Sequence, residues 1–248
     1  MFGQPMLDVL AFGAHPDDVE LGCGGTMLRC GDAGLRLGIV DLTAGERGSR
    51  GDAATRADEA RSAAELMGLA VRETLAFADT ELEASLAVRK AVVAAIRRHR
   101  PRVVLAPLAH DLHPDHAAAG TAVRDAIYAS GMRNFDAPGD PWRPERLFHY
   151  FMHDEDDTPI VVDVTAVWER RLELARCFGS QLHAPAGAPS ASEFPTLISR
   201  PDFLLRIEAR SRSWGRRAGV EFGEPLVVSG AFAAADVAAL FGAGGRGR

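Results

Sequence analysis

Apolar positions along the chain fall into short unbroken runs separated by longer stretches of helical period. Residues 7–14, LDVLAFGA, are apolar almost without interruption, the pattern of a strand buried on both faces. Residues 22–33 read as a helix and 35–42, LRLGIVDL, as a second strand. The loop 43–52, TAGERGSRGD, is rich in glycine and charge and too long for a tight connector. Residues 54–67 form a strongly helical segment by propensity and period. A short strand at 71–75 follows, then a helix at 86–99, a strand at 103–106 closed by Pro107, and a helix at 114–130.

Strand and helix in strict alternation predict an α/β fold, a Rossmann-like, mostly parallel sheet with helices on both faces. Residues 7–130 supply this core, and 131–241 a less regular completion of a single domain spanning 1–248. In that second part 134–144 reads as a loop, 147–152 and 160–164 as strands, and 167–178 as a helix. Residues 180–199 carry prolines and no period, an irregular loop. A helix at 201–218 opens on a proline, a strand lies near 225–229, and a short helix is expected at 234–241. The final GAGGRGR reads as a disordered tail.

Composition narrows the function classes. With 47% hydrophobic and 25% charged residues in 248, the chain can bury a full core without staples. A net charge of −6 opposes nucleic acid as a partner, since phosphate neutralisation needs basic excess. The basic stretch Arg97-Arg98-His99-Arg100 reads as a solvated helix end. No segment approaches the roughly 20 apolar residues of a membrane span, and the first residues lack the basic start of a signal peptide. The three cysteines, Cys23, Cys30 and Cys177, form no CxxC pair and are expected to be plain thiols, not zinc ligands. Together these features predict a cytoplasmic protein.

Candidate chemistry concentrates in two places. His15-Pro16-Asp17-Asp18 follows the first strand, and His110-Asp111-Leu112-His113-Pro114-Asp115-His116 follows the fourth. In parallel sheets ligands gather outside the carboxyl ends of the strands, near the switch in strand order, so both clusters fall on the rim where sites form. His113 and His116 are three apart at a helix start and share a face. Two imidazoles and a carboxylate are a usual set for a catalytic zinc with one position open for water. Asp17 and Asp18 can take separate roles, one toward a metal and the other toward its water. The structural alternative, an aspartate that merely caps the helix, is common for a lone Asp and loses ground once a His stands two residues earlier. Gly22, Gly24 and Gly25, with Asp41 ending the second strand, suggest a dinucleotide fingerprint. The run does not match GxGxxG, however, and Asp17, Asp18 and Glu20 would put negative charge where a pyrophosphate should sit.

AHPDDVELGCGGT, DLTAGERGSRG and HDLHPDH together resemble the PIG-L/LmbE-type zinc deacetylases of N-acetylglucosaminyl compounds, over roughly residues 7 to 240. Within that family, EARSRSWGRRAGVEFGEPLVV and the segment CFGSQL resemble the bacillithiol-biosynthesis deacetylases. The resemblance implies one Zn2+ held by His15, Asp18 and His116, with Fe2+ as another admissible metal, and Asp17 as general base. It implies that a protonated His113 stabilises the oxyanion or acts as acid, with Asp115 orienting it. Arg56 and Arg143 are implied as arginines that either contact substrate or support the residues that do, and Arg50 is a further candidate, for instance toward the carboxylates of N-acetylglucosaminyl-malate. A small-molecule amino-sugar substrate and a homo-oligomer, a hexamer being the form suggested, follow from the same likeness. Some members polarise the amide carbonyl with a tyrosine, and Tyr128 and Tyr150 stand in no matching motif. Two further classes stay open: a zinc amidase cleaving a thiol conjugate, and a non-catalytic metal- or sugar-binding protein, against which the presence of Asp17 argues.

Overall fold

The computed structural model describes residues 6–153, 160–183 and 196–230. The first strand, β1 (Leu7–Gly13), leads into α1 (Asp18–Asp32), then β2 (Leu37–Thr43), α2 (Ala53–Met67), β3 (Val71–Phe77), α3 (Leu86–His99), β4 (Pro101–Pro107) and α4 (Pro114–Ser130). The second half adds β5 (Arg146–Tyr150), β6 (Ile160–Asp163), a 3-10 turn running into α5 (Trp168–Arg176), α6 (Phe203–Ala218) and β7 (Gly223–Val228). The described strands form one sheet in the order β3-β2-β1-β4-β5-β7-β6. Its first five strands are parallel, while β7 runs antiparallel to both β5 and β6. The alternating βα order thus produces the expected mostly parallel sheet.

Helices cover both faces because β1 and β2 are apolar on both. Leu10 and Phe12 of β1 enter one core with Val40 and Val104, beneath Val92 and Ile96 of α3 and Val123 of α4. Val9 and Ala11 point the other way and pack with Ile39 and Leu105 under Met27 of α1, Ala63 of α2 and Leu174 of α5. No described helix is long and apolar enough to cross a membrane.

The glycines after β1 serve packing. A Cβ on Gly22 would lie 2.4 Å from the buried Tyr150 ring, and one on Gly24 2.8 Å from Leu174. Helix α1 begins at Asp18, four residues before the expected start, and breaks helical geometry at Cys23 (φ −144°). Beyond the break the Gly25 and Thr26 N–H groups donate to Glu224 of β7, at 2.9 and 2.6 Å. Tertiary contact replaces the missing helical bonds, which no local pattern reveals.

Two further expectations change. Arg97 and His99 are buried, not solvated. The Arg97 guanidinium donates to the carbonyls of Ser130 (3.1 Å) and Met132 (2.6 Å), so it organises the loop leading to β5. The expected helix 234–241, the tail 242–248 and most of the irregular loop 180–199 lie outside the described residues.

Candidate metal centre

The strand order reverses between β1 and β4, and both histidine clusters stand at the carboxyl ends of these two strands. After β1 the chain turns so that Asp18 Oδ2 accepts the backbone N–H groups of Ala14 (2.8 Å) and His15 (3.0 Å). That leaves Oδ1 facing His15 Nδ1 at 3.7 Å and His116 Nε2 at 3.2 Å. The helix start at Pro114 delivers His116, as the three-residue spacing from His113 requires. One ligand atom from each of His15, Asp18 and His116 lies within 4.8 Å of the others, and all three residues are buried.

Each imidazole has a carboxylate on its other nitrogen. His116 Nδ1 meets Asp111 Oδ1 at 3.0 Å. His15 Nε2 meets Asp79 at 3.1 Å and Asp115 at 3.2 Å. Histidine ligands of metals are usually oriented in this way. Burial works against charge on both rings, yet Asp18 and Asp111 hold His116 up at about 10. Burial is likewise outweighed at His15, which Asp18, Asp115 and Asp79 hold well above its ordinary value. Two rings amid four carboxylates make a set with surplus negative charge, the chemistry that takes up a divalent cation. The residues fit a metal.

Asp17 is a different kind of group. It has φ 127°, a conformation side chains rarely adopt, and its side chain makes no capping hydrogen bond. The helix-cap alternative therefore fails for it. Burial pushes its carboxyl up to about 7, while the Arg56 guanidinium, with Nη2 at 3.1 Å from Oδ1, pulls the other way. Arg56 is itself buried and donates to the carbonyls of Pro16 and Gly45.

Several expectations require correction. The Asp115 carboxylate faces His15 and accepts the Thr80 N–H at 2.8 Å; only its backbone N–H reaches His113, donating to Nδ1 at 3.2 Å. That bond assigns the His113 proton to Nε2. Burial, with His116 and His15 nearby, lowers the affinity of His113 for a second proton, which works against the protonated form. Its centroid lies 5.1 Å from the His15 ring and 4.6 Å from that of His116.

Each of the three arginines has partners within the fold. Arg56 holds Asp17. Arg50 donates to the carbonyls of Ser180 (3.0 Å) and Leu182 (2.9 Å), while Gln181 donates back to its carbonyl. The CFGSQL segment thus clamps the 43–52 loop. Arg143 stacks on the exposed Tyr128 ring at 4.5 Å and precedes β5, at the end of the sheet opposite the histidines. Tyr150 is buried and donates to the Phe12 carbonyl at 2.8 Å. With Tyr128 at the far end, neither tyrosine of the chain is placed to polarise a carbonyl.

Sequence reasoning gives Asp79, Asp111 and His153 no role. Asp111 sits in the second cluster without a partner to define it. Asp79 and His153 arrive on the connections after β3 and β5, with no motif around them.

Known proteins resemble this chain in sequence and fold. The family profile described as PIG-L: GlcNAc-PI de-N-acetylase matches residues 10–127. A diacetylchitobiose deacetylase from Thermococcus kodakarensis is 34% identical over 188 residues, 70% of this chain and 69% of that protein. The conserved protein TT1542 from Thermus thermophilus superimposes with a TM-score of 0.79 at 37% identity, covering 90% of this chain and 94% of that one. An N,N'-diacetylchitobiose deacetylase from Pyrococcus horikoshii gives a TM-score of 0.74 at 26% identity, over 89% and 83% of the two chains. The chain belongs to the PIG-L family of de-N-acetylases, which are metal-dependent amide hydrolases.

Proposed function

We propose that this chain hydrolyses the acetamide of an N-acetylglucosaminyl conjugate, using one divalent metal ion, Zn2+ by preference, held by His15, Asp18 and His116. The observation that carries the reading is the convergence of those three ligand atoms within 4.8 Å, beside a buried carboxylate that is not one of them. A cation bound there supplies an acidified water and a Lewis-acid contact for the carbonyl oxygen.

The chain's own groups do the rest. Asp17, with Oδ1 on Arg56, takes the water proton at its other carboxyl oxygen as the nucleophile adds to the carbonyl carbon. A carboxyl poised near neutrality both accepts that proton and gives it up. His113 donates its Nε2 hydrogen to the developing oxyanion, and needs no positive charge for this. As the C–N bond breaks, Asp17 delivers the proton to the leaving nitrogen, so amide and water become acetate and a free amine. Asp115 and Asp79 keep the His15 ring oriented, and Asp115 positions His113 only through its backbone N–H.

Within this class the malate conjugate of bacillithiol biosynthesis is our proposed substrate, supported by the resemblance of CFGSQL and the α6–β7 stretch. Diacetylchitobiose is the second reading, favoured by the 34% identical relative. A cytoplasmic setting is supported by three cysteines free of disulfides; a homo-oligomeric state remains an inference from the resemblance. The test measures acetate release from N-acetylglucosaminyl-malate and from diacetylchitobiose, with chelator and after metal is restored. Metal-dependent acetate release is expected, faster from malate. Preference for chitobiose transfers the activity to that substrate, and no acetate from either, with intact metal binding, overturns both substrate readings and leaves a deacetylase of another N-acetylglucosaminyl compound.

A further inference from the structure

Asp111 accepts four hydrogen bonds although its side chain is only 1% exposed. Oδ1 takes the His113 N–H (2.9 Å), His116 Nδ1 (3.0 Å) and His153 Nδ1 (3.0 Å); Oδ2 takes the His153 N–H (3.1 Å). A carboxylate can only accept, so both imidazoles carry their proton on Nδ1. For His116 this leaves Nε2 as the nitrogen turned toward Asp18. Two of the four bonds come from His153, whose ring also stacks on His116 at 5.5 Å with 12° between planes. His153 therefore screens the carboxylate from water as well as bonding it. It is not a loosely placed surface residue: Arg210 of α6 donates to the carbonyls of Phe151 (3.1 Å) and Met152 (3.0 Å), fixing the segment that presents it.

We propose that His153 is a positioning residue of the metal centre. It holds Asp111 in place, and Asp111 in turn holds the His116 imidazole with Nε2 toward the ion. The inference rests on the ligand set proposed above. It makes the connection after β5, pinned by α6, part of the apparatus that builds the site. His153, Asp111 and His116 also lie close enough to share a cation. But His116 Nδ1 already gives its proton to Asp111, and one ring would have to bridge two ions. A chain of hydrogen bonds explains the same three atoms without that demand.

The test measures Zn2+ affinity of the full chain by competition with a chromogenic chelator, a readout independent of catalysis. Partners that hydrogen-bond a ligand directly change metal affinity by roughly 10–100-fold, so Asp111→Asn is expected in that range and His153→Ala, one step removed, at about 3–10-fold. His153→Asn places an amide N–H where Nδ1 was and is expected to restore affinity. His153→Gln, which mimics Nε2 instead, is not. An unchanged affinity in His153→Ala, or rescue by Gln in place of Asn, overturns the proposal and directs attention to Nε2 and the substrate. His116→Ala is the control: if it still binds Zn2+ as the parent does, the ligand set itself is wrong. If it loses Zn2+ while His153→Ala does not, only the role of His153 falls.

Discussion

Replacing Arg56 by Gln removes the positive charge that acts most strongly on the buried Asp17. At 3.1 Å and an effective dielectric of about 20, the pair is worth about 5 kcal/mol. That is about 4 pKa units at 1.36 kcal/mol per unit, an upper bound because water enters the space vacated. Opposite charges at such distances shift a carboxyl by about 1–3 units in practice, so Asp17, already pushed up by burial to about 7, rises further in the variant. The group must be ionised to take a proton, so the direction is fixed: activity falls most below the raised pKa and recovers above it. In the metal-free protein the ionised fraction at pH 7 drops roughly 5- to 500-fold. A bound cation lowers the limb in both proteins alike and leaves the displacement between them. The assay is the kcat/KM profile from pH 5.5 to 10, with metal content and thermal unfolding measured on the same samples. The signature is an acid limb displaced upward, with the deficit shrinking at high pH, and equal losses on malate-bearing and malate-free substrates. A loss that is the same at every pH, or confined to the malate conjugate, would refute the reasoning and restore Arg56 as a carboxylate-binding residue.

Three other outcomes follow from the same geometry. Asp17→Asn retains the metal and loses about 10²–10⁴-fold in kcat, the usual effect of removing a general base; loss of metal in this variant would exchange the roles of the two aspartates. Because His116 is held at about 10 and His15 well above its ordinary value, both are protonated at pH 7 before a cation binds. Binding then releases about two protons and tightens as pH rises; calorimetry in buffers of different ionisation enthalpy measures this, and zero release would contradict the ligand assignment. Gly22→Ala drives a methyl group into the Tyr150 ring and is expected to lower stability by about 1–3 kcal/mol in denaturant unfolding, since the close-packed core must shift. An unchanged midpoint would mean that the ring moves freely.

What the sequence alone determined is the part of the molecule governed by local order. Unbroken apolar runs such as LDVLAFGA can be buried only as strands covered on both sides, and helices between them force parallel crossovers. That topology brings the ends of β1 and β4 together, so element order suffices to place the His15–Asp18 and His110–His116 clusters on one rim. Local spacing carries no information about which partner a polar side chain finds across the fold. Arg50, Arg56 and Arg143 are alike as sequence, each beside a loop. Only the tertiary structure turned one onto the Ser180 and Leu182 carbonyls, one onto Asp17, and one onto Tyr128 at the far end of the sheet. The Asp115 carboxylate went to His15 instead of the neighbouring His113, because the N-cap geometry of α4 offers His113 the backbone N–H and leaves the side chain to cross the site. Asp79 and His153 became legible only when separate connections were folded onto the same rim. The meeting of the two histidine clusters was written in motif and topology, whereas the partners of each side chain are chosen by contacts between residues far apart in the chain.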